Sequence, residues 1–262
     1  MFRVRLLLMG LLSALAIGMT AAAAATAEAG PFWHQREGGK GSGVKIEQSK
    51  PVAYSGQGKV KFNFFIMNKL AGILDAEIQI KGGIWNEANQ GQLKAQVKFE
   101  QVRPPGEPAC KSETKVPENY QGHLMWKWNG ETKQLEESSQ AQQKWDIMLT
   151  PGQTKLDEKG LSGKNILATV SFGASCGSFS NTTQSFKGAM IFAADAGLEA
   201  FHNTFTFIGS LPLTFVTPFD THYWNGKGSI GLEENLFFEA VRSGLAGEFP
   251  VKFGQEVAVF EK

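Results

Sequence analysis

The 262-residue sequence predicts an all-β protein, an antiparallel β-sandwich or barrel-like fold with a single domain over residues 30–262. Three observations carry this expectation. Apolar residues recur at every second position in many short segments. Glycine, proline and asparagine turn signals separate those segments. The spacing is that of successive short strands and not of alternating βαβ units.

Taken in order, the chain opens "MFRVRLLLMGLLSALAIGMTAAAAATAEAG". Arg3 and Arg5 precede an apolar run from Leu6 to Met19, and small residues lead to Ala27-Glu28-Ala29. That layout is a secretory signal peptide over residues 1–29, and the apolar core is short for a retained membrane anchor. Cleavage there predicts a secreted product, extracellular or periplasmic, without a transmembrane anchor.

"KVKFNFFIM" (59–67) then places Val60, Phe62, Phe64 and Ile66 on one face, and "DAEIQIKG" (75–82) does so with Ala76, Ile78 and Ile80. In "QLKAQVKFEQV" (92–102), Leu93, Ala95, Val97, Phe99 and Gln101 alternate with Lys94, Gln96, Lys98 and Glu100. Period two with a polar outer face describes an antiparallel strand packed on one side. Further strand-like segments occupy 122–128, 145–149, 165–172, 186–193, 203–209, 213–216, 249–253 and 256–260. Turn signals between segments include Gly82-Gly83, Pro104-Pro105-Gly106, Asn129-Gly130 and Pro151-Gly152. In "GLEENLFFEAVRSGL" (231–245), Leu232, Leu236, Phe237, Ala240 and Val241 form a helical stripe, with Glu233 and Glu234 at its start and Gly244 beyond Arg242. The same run reads as a strand in a Phe-rich β-protein, so a short C-terminal helix over 232–243 and a strand both stay open.

Charge and cysteine content narrow the function. Without Arg3, Arg5 and Glu28 the mature chain carries 24 basic residues and 24 acidic ones. A nucleic-acid binder needs a basic surplus, and no local run supplies one, so nucleic acid is not an expected partner. Cys110 and Cys176 form an even pair in an exported chain, which predicts a disulfide. Closing a loop of that length contributes about 4 kcal/mol in the chain-entropy model. His34, His123, His202 and His222 are scattered, and two cysteines alone make a poor zinc site, so no metal and no cofactor are expected.

Several motifs invite a chemical reading. "GASCG" (173–177) matches the G-x-S-x-G nucleophile elbow, with Asp195 or Asp220 and His202 or His222 following it. The elbow requires a helix after the serine, and "SFSNTTQSFKG" has no helical period, so Ser175 reads as part of a small-residue turn beside a disulfide cysteine. Paired acids for glycoside hydrolysis would have to come from Asp75 with Glu77, Glu233 with Glu234, or single residues such as Glu87 and Asp220. None stands out from solvated outer faces. Trp126 and Trp128 share a strand face, and with Trp33 and Trp224 they form the candidate ligand platform for sugar stacking. Large aromatics also dominate cores, which is the competing reading. "GKGS" occurs both in "FWHQREGGKGSGVKIE" (32–47) and in "THYWNGKGSIGLEE" (221–234) without P-loop spacing. In the first stretch Phe32 and Trp33 are expected to anchor the new N-terminus in the core, with His34 hydrogen-bonded at the rim.

"PFWH" after the signal, followed by "VKIEQSKPVAYSGQGK", resembles uncharacterised exported bacterial β-rich proteins whose mature chains open with a Pro-Phe-Trp-His-type motif. The likeness covers mainly residues 30–60. It implies export and a β-fold and carries no catalytic residues. Together these observations predict a non-enzymatic binding or surface module for a glycan, a cell-envelope component or a protein. A secreted hydrolase with an unrecognised site is the alternative.

Overall fold

A computed structural model describes residues 31–36, 43–66, 69–87, 90–129, 134–135, 145–152, 166–194, 200–209, 221–224, 229–231, 236–238 and 241–260. Residues 1–29, expected to be a signal peptide, both GKGS stretches up to Ser229, the segment 213–216, Asp195, Asp220, Glu233 and Glu234 lie outside them.

The fold is nearly all antiparallel β. Its spine is a strip of three long strands, β3 (Val52–Ile66), β4 (Lys69–Glu87) and β5 (Gln90–Arg103). Strict alternation builds the strip. Val52, Tyr54, Val60, Phe62, Phe64, Leu74, Ala76, Ile78, Ile80, Ile84, Leu93, Ala95, Val97 and Phe99 are buried along one face, and polar residues occupy the other.

Two lobes curl over the buried face, side by side along the strip. In the first, β3–β4–β5 continue through β7 (Tyr120–Asn129), β9 (Trp145–Pro151), β12 (Met190–Ala194), β13 (His202–Gly209) and β18 (Glu248–Phe260). β18 returns to β3, so eight strands form a closed hydrogen-bonded ring. In the second, β3 pairs on through β17 (Val241–Ala246), β16 (Leu236–Phe238), β11 (Thr183–Gly188), β10 (Ile166–Phe172) and β6 (Ser112–Lys115). β6 lies back against β5, where the Ser112 hydroxyl donates to the Val102 carbonyl at 2.6 Å. The Cys110–Cys176 disulfide, with Cα atoms 4.5 Å apart, ties the same seam. All these buried residues join in one core, with Phe62 against Phe186 (centroids 4.2 Å) and Phe99 (5.3 Å) at its centre.

The chain passes between lobes at two glycines. β11 ends at Gly188 (φ 107°) and β12 enters the first lobe. β17 gives way to β18 across Gly247 (φ 122°), where a Cβ would lie 2.7 Å from the Lys59 carbonyl. The left-handed backbone at both points is open to glycine at little cost. The segment 186–193, one apolar run in the sequence, is therefore two strands in different lobes.

Between the two readings left open for 232–243, the described residues favour the strand: 236–238 and 241–246 are strands. Two further expectations, along β3 and β5, are corrected. Arg242 pairs with Phe65 and Gly244 with Asn63, so the apolar run serves ladders on both sides and Gly244 is a strand residue. Gln101 is exposed, not buried. A bulge opposite Asp75–Glu77 leaves it at φ 52°, and Val102 takes the core position instead. Ile66 lies past the core at the β3–β4 hairpin end and is 55% exposed.

β1 (Phe32–Gln35) and β2 (Val44–Lys45) close the open end of the first lobe. β1 pairs with β18 and β2. The Asn86 amide donates to the carbonyls of Trp33 (2.7 Å) and Ile46 (3.0 Å), and its carbonyl accepts the Trp33 N–H at 2.8 Å. The segment Phe32–Ile46 is thus tied to the first lobe at its described residues, as the anchor reading expects. His34 is buried edge-on against Phe260 instead of lying at the rim.

Candidate functional site: a polar groove on the strip

The outer face of the strip presents its side chains in cross-strand rows, because directly opposed residues of antiparallel strands share a face. One row runs Thr204, Lys252, Ser55, Lys81, Gln96 over β13, β18, β3, β4 and β5. The next runs Gln57, Gln79, Lys98. All eight side chains are exposed, and with Pro250 they line an open groove of about 700 Å³.

The groove follows a discontinuity in the sheet. β3 pairs with β18 over Tyr54–Gly56 and with β17 from Lys61 onward. Between these stretches Gly56 and Gly58 let Val251 and Phe249 lie flush against the β3 backbone. A Cβ on Gly58 would collide with that of Phe249. The glycines therefore serve the packing beneath the groove.

Three lysines give the groove a positive field. Lys98 forms an ion pair with Glu100, whose other oxygen accepts from the Gln79 amide at 3.1 Å. Lys81 and Lys252 have no carboxylate within ion-pair distance among the described residues. Adjacent strands lie ~4.8 Å apart, so Lys252 and Lys81 stand roughly two strand spacings apart with Ser55 between them. Ammonium groups offer donors only, whereas the glutamine amides and the hydroxyls also accept. The set suits a ligand bearing both anionic groups and hydroxyls.

Beyond the groove the rows change character: Lys59, Glu77, Glu100, then Lys61, Asp75, Arg103, beside Gln101 in a smaller depression of about 350 Å³. Asp75 and Glu77 share a strand face, as expected. Each has a cation opposite it on β3, so they read as a solvated, charge-compensated face.

The sequence-derived candidates fare differently. Trp33 is fully buried against Phe253 (centroids 5.9 Å), which removes it from any ligand platform. Trp126 and Trp128 lie on β7, which also pairs with the short β8 (Gln134–Leu135). Trp224 lies on β14 (Thr221–Trp224), which pairs with β15 (Ser229–Gly231). The register places Trp224 opposite Trp126, Trp126 opposite Trp145, and Trp128 opposite His222. Ser175 sits in an exposed turn, followed by a single 3-10 turn, Gly177–Phe179, instead of the helix an elbow needs. Among the described residues no group of three metal-ligating side chains forms.

Sequence reasoning missed a part-buried polar pair on the outward-facing positions of β5 and β7, beyond the groove. The Gln90 amide nitrogen lies 2.9 Å from His123 Nδ1. Burial pulls the His123 pKa down to about 4, so the ring is neutral near pH 7 and accepts from Gln90. Tyr120, whose hydroxyl donates to the Leu167 carbonyl, is likewise held protonated by burial and links the lobes.

Comparison with protein-family models, curated proteins and solved structures finds no match.

Proposed function

We propose that this chain is an exported, non-enzymatic binding module that holds an acidic, hydroxyl-rich glycan in the groove of the strip. The observation that supports this reading is the row Lys252–Ser55–Lys81–Gln96 beside Gln57–Gln79–Lys98. These cations and amides are not needed for folding, because they project away from the core. The signal-like first residues and the disulfide support a non-cytoplasmic location. No helix among the described residues is long and apolar enough to cross a membrane. The ring has an apolar interior and a charged outer strip, the reverse of the pattern of a channel-forming barrel in lipid. A hydrolase reading has less support, since the groove lining contains neither a histidine nor a carboxylate.

Isothermal titration with polygalacturonate and with neutral dextran tests the proposal. Polygalacturonate should bind, dextran should bind at least about tenfold more weakly, and added salt should weaken the acidic ligand. The double variant Lys81→Glu/Lys252→Glu, altered only at exposed positions, should keep its fold and lose at least about tenfold in affinity. Equal binding of the two polymers, or an unchanged affinity in the double variant, rejects the reading.

A further inference from the structure

The outer face of the strip continues past the groove toward the β4–β5 hairpin. Beyond Ser55, Lys81 and Gln96 comes the row Gly83, Lys94, Gln121, and then Trp85, Gln92, His123. These positions alternate with the buried Ile84, Leu93 and Leu124, so they face outward. Lys94 and Gln121 are exposed, and Gly83 puts no side chain between Lys81 and Trp85. Four residues of β4 separate Lys81 from Trp85, roughly 13 Å at the rise of an extended strand.

Trp85 is held in place yet only half-buried. Its side chain packs against the core, and its indole N–H donates to the Glu87 carboxylate at 3.4 Å. A ring fixed in this way loses little rotamer freedom when a ligand lies against it. Glu87 stands opposite Gln90, which is 8% exposed. The Gln90 amide nitrogen reaches His123, but its Oε1 has no hydrogen-bond partner. Burying an amide oxygen without a donor disfavours the folded state, and a ligand hydroxyl supplies that donor.

The chemistry of the row selects a sugar ring. A pyranose has an apolar C–H face and a rim of hydroxyls that both donate and accept. The negative face of an indole suits the first, and amides, an imidazole and a carboxylate suit the second. Acidic units belong over the lysines instead. The Trp85 row holds no cation near pH 7, because burial keeps His123 neutral, and Glu87 beside it repels a carboxylate. We infer that Trp85 is the stacking platform of a second subsite, where a neutral sugar unit of the acidic glycan lies with its hydroxyls bonded by Gln90 and Gln92. The inference rests on the groove reading for the acidic units, and it adds that the ligand mixes acidic units with neutral ones.

Isothermal titration with hyaluronan oligosaccharides, which alternate glucuronate with N-acetylglucosamine, and with polygalacturonate, which is acidic throughout, tests this. Trp85→Ala should weaken hyaluronan binding by about tenfold and leave polygalacturonate binding within about twofold. Hyaluronan should also change the tryptophan fluorescence of the wild type, and this change should vanish in Trp85→Ala. Because Trp85 packs against the core, Gln92→Ala serves as a second variant that keeps the ring. It should weaken hyaluronan several-fold, and circular dichroism reports the fold of each protein. Wild-type binding of polygalacturonate without hyaluronan, or full hyaluronan affinity in Trp85→Ala, overturns the subsite and leaves the groove reading standing. Equal loss of both polymers in Trp85→Ala marks a structural residue and overturns it too. Trp85-dependent hyaluronan binding without polygalacturonate binding supports the subsite and rejects the lysine groove. Binding of neither polymer rejects both.

Discussion

The two lobes share three strands and one core, yet they are closed by different means. The first is a ring in which every neighbour is joined by a ladder, and its open end is sealed by β1 and the Asn86 clamp. In the second, no ladder joins β5 to β6 among the described residues. The seam is held by the Cys110–Cys176 bridge and the Ser112–Val102 hydrogen bond. Ladders distribute closure over many weak bonds, each contributing about 0.5–1.5 kcal/mol net. A disulfide concentrates closure in one covalent link that acts largely on the unfolded chain. The outer faces diverge as well, with polar rows over the first lobe and the exposed apolar Leu70 and Ile166 on strands of the second.

The largest expected effect lies in the first lobe. Trp33 is fully buried and its ring contacts Phe253, while Gly91 leaves it room beside Leu124. Trp33→Ala should lower unfolding free energy by about 3–5 kcal/mol, read from urea denaturation. Polygalacturonate binding by the folded fraction should be unchanged. A loss below about 1 kcal/mol would show that β1 is dispensable and that the ring closes without its seal.

The second lobe should respond next. Cys110→Ala/Cys176→Ala should cost about 4 kcal/mol by the chain-entropy argument. The loss should also be local. Amide exchange should accelerate in β6, β10 and β11 before β7, β9 and β12. Uniform acceleration in both lobes would remove the distinction between laddered and stapled closure.

Much of this architecture was legible in the sequence because burial has a period. The inner faces of β3, β4 and β5 followed from alternation up to Phe99, and the disulfide from an even cysteine count. Local pattern could not supply the partner changes. The run 186–193 splits at Gly188, and the 236–246 run forms strands because β11 and β3 offer it ladders, which a helical stripe cannot reveal. Asn86 and the Gln90–His123 pair carry no sequence signature, since their roles depend on chain segments far away. The groove escaped for a related reason. Its lysines and glutamines looked like an ordinary solvated face until the register placed three strands' worth of them side by side. Among the tryptophans, residue type could not separate Trp33, a core anchor, from the strand positions of Trp126, Trp128 and Trp224.

The smallest effect concerns the boundary between the two outer faces. Gln101 occupies the left-handed region at φ 52° in the bulge that moves Val102 into the core and brings Arg103 opposite Asp75. For a residue with a Cβ this conformation costs roughly 1–2 kcal/mol. Glycine there removes the strain but adds unfolded-state entropy, so Gln101→Gly should stabilise the protein by about 0.5–1 kcal/mol. Valine, β-branched and least tolerant of positive φ, should destabilise it by at least about 1 kcal/mol. Paired urea curves on the two variants would resolve opposite shifts of the midpoint. If both are neutral, the bulge relaxes when its residue changes, and the alternation of β5 is not locked at this point. If glycine stabilises but weakens polygalacturonate binding, the strain is maintained for the Gln101 side chain. The ligand surface would then extend from the groove, past Glu100, to the seam where the lobes differ.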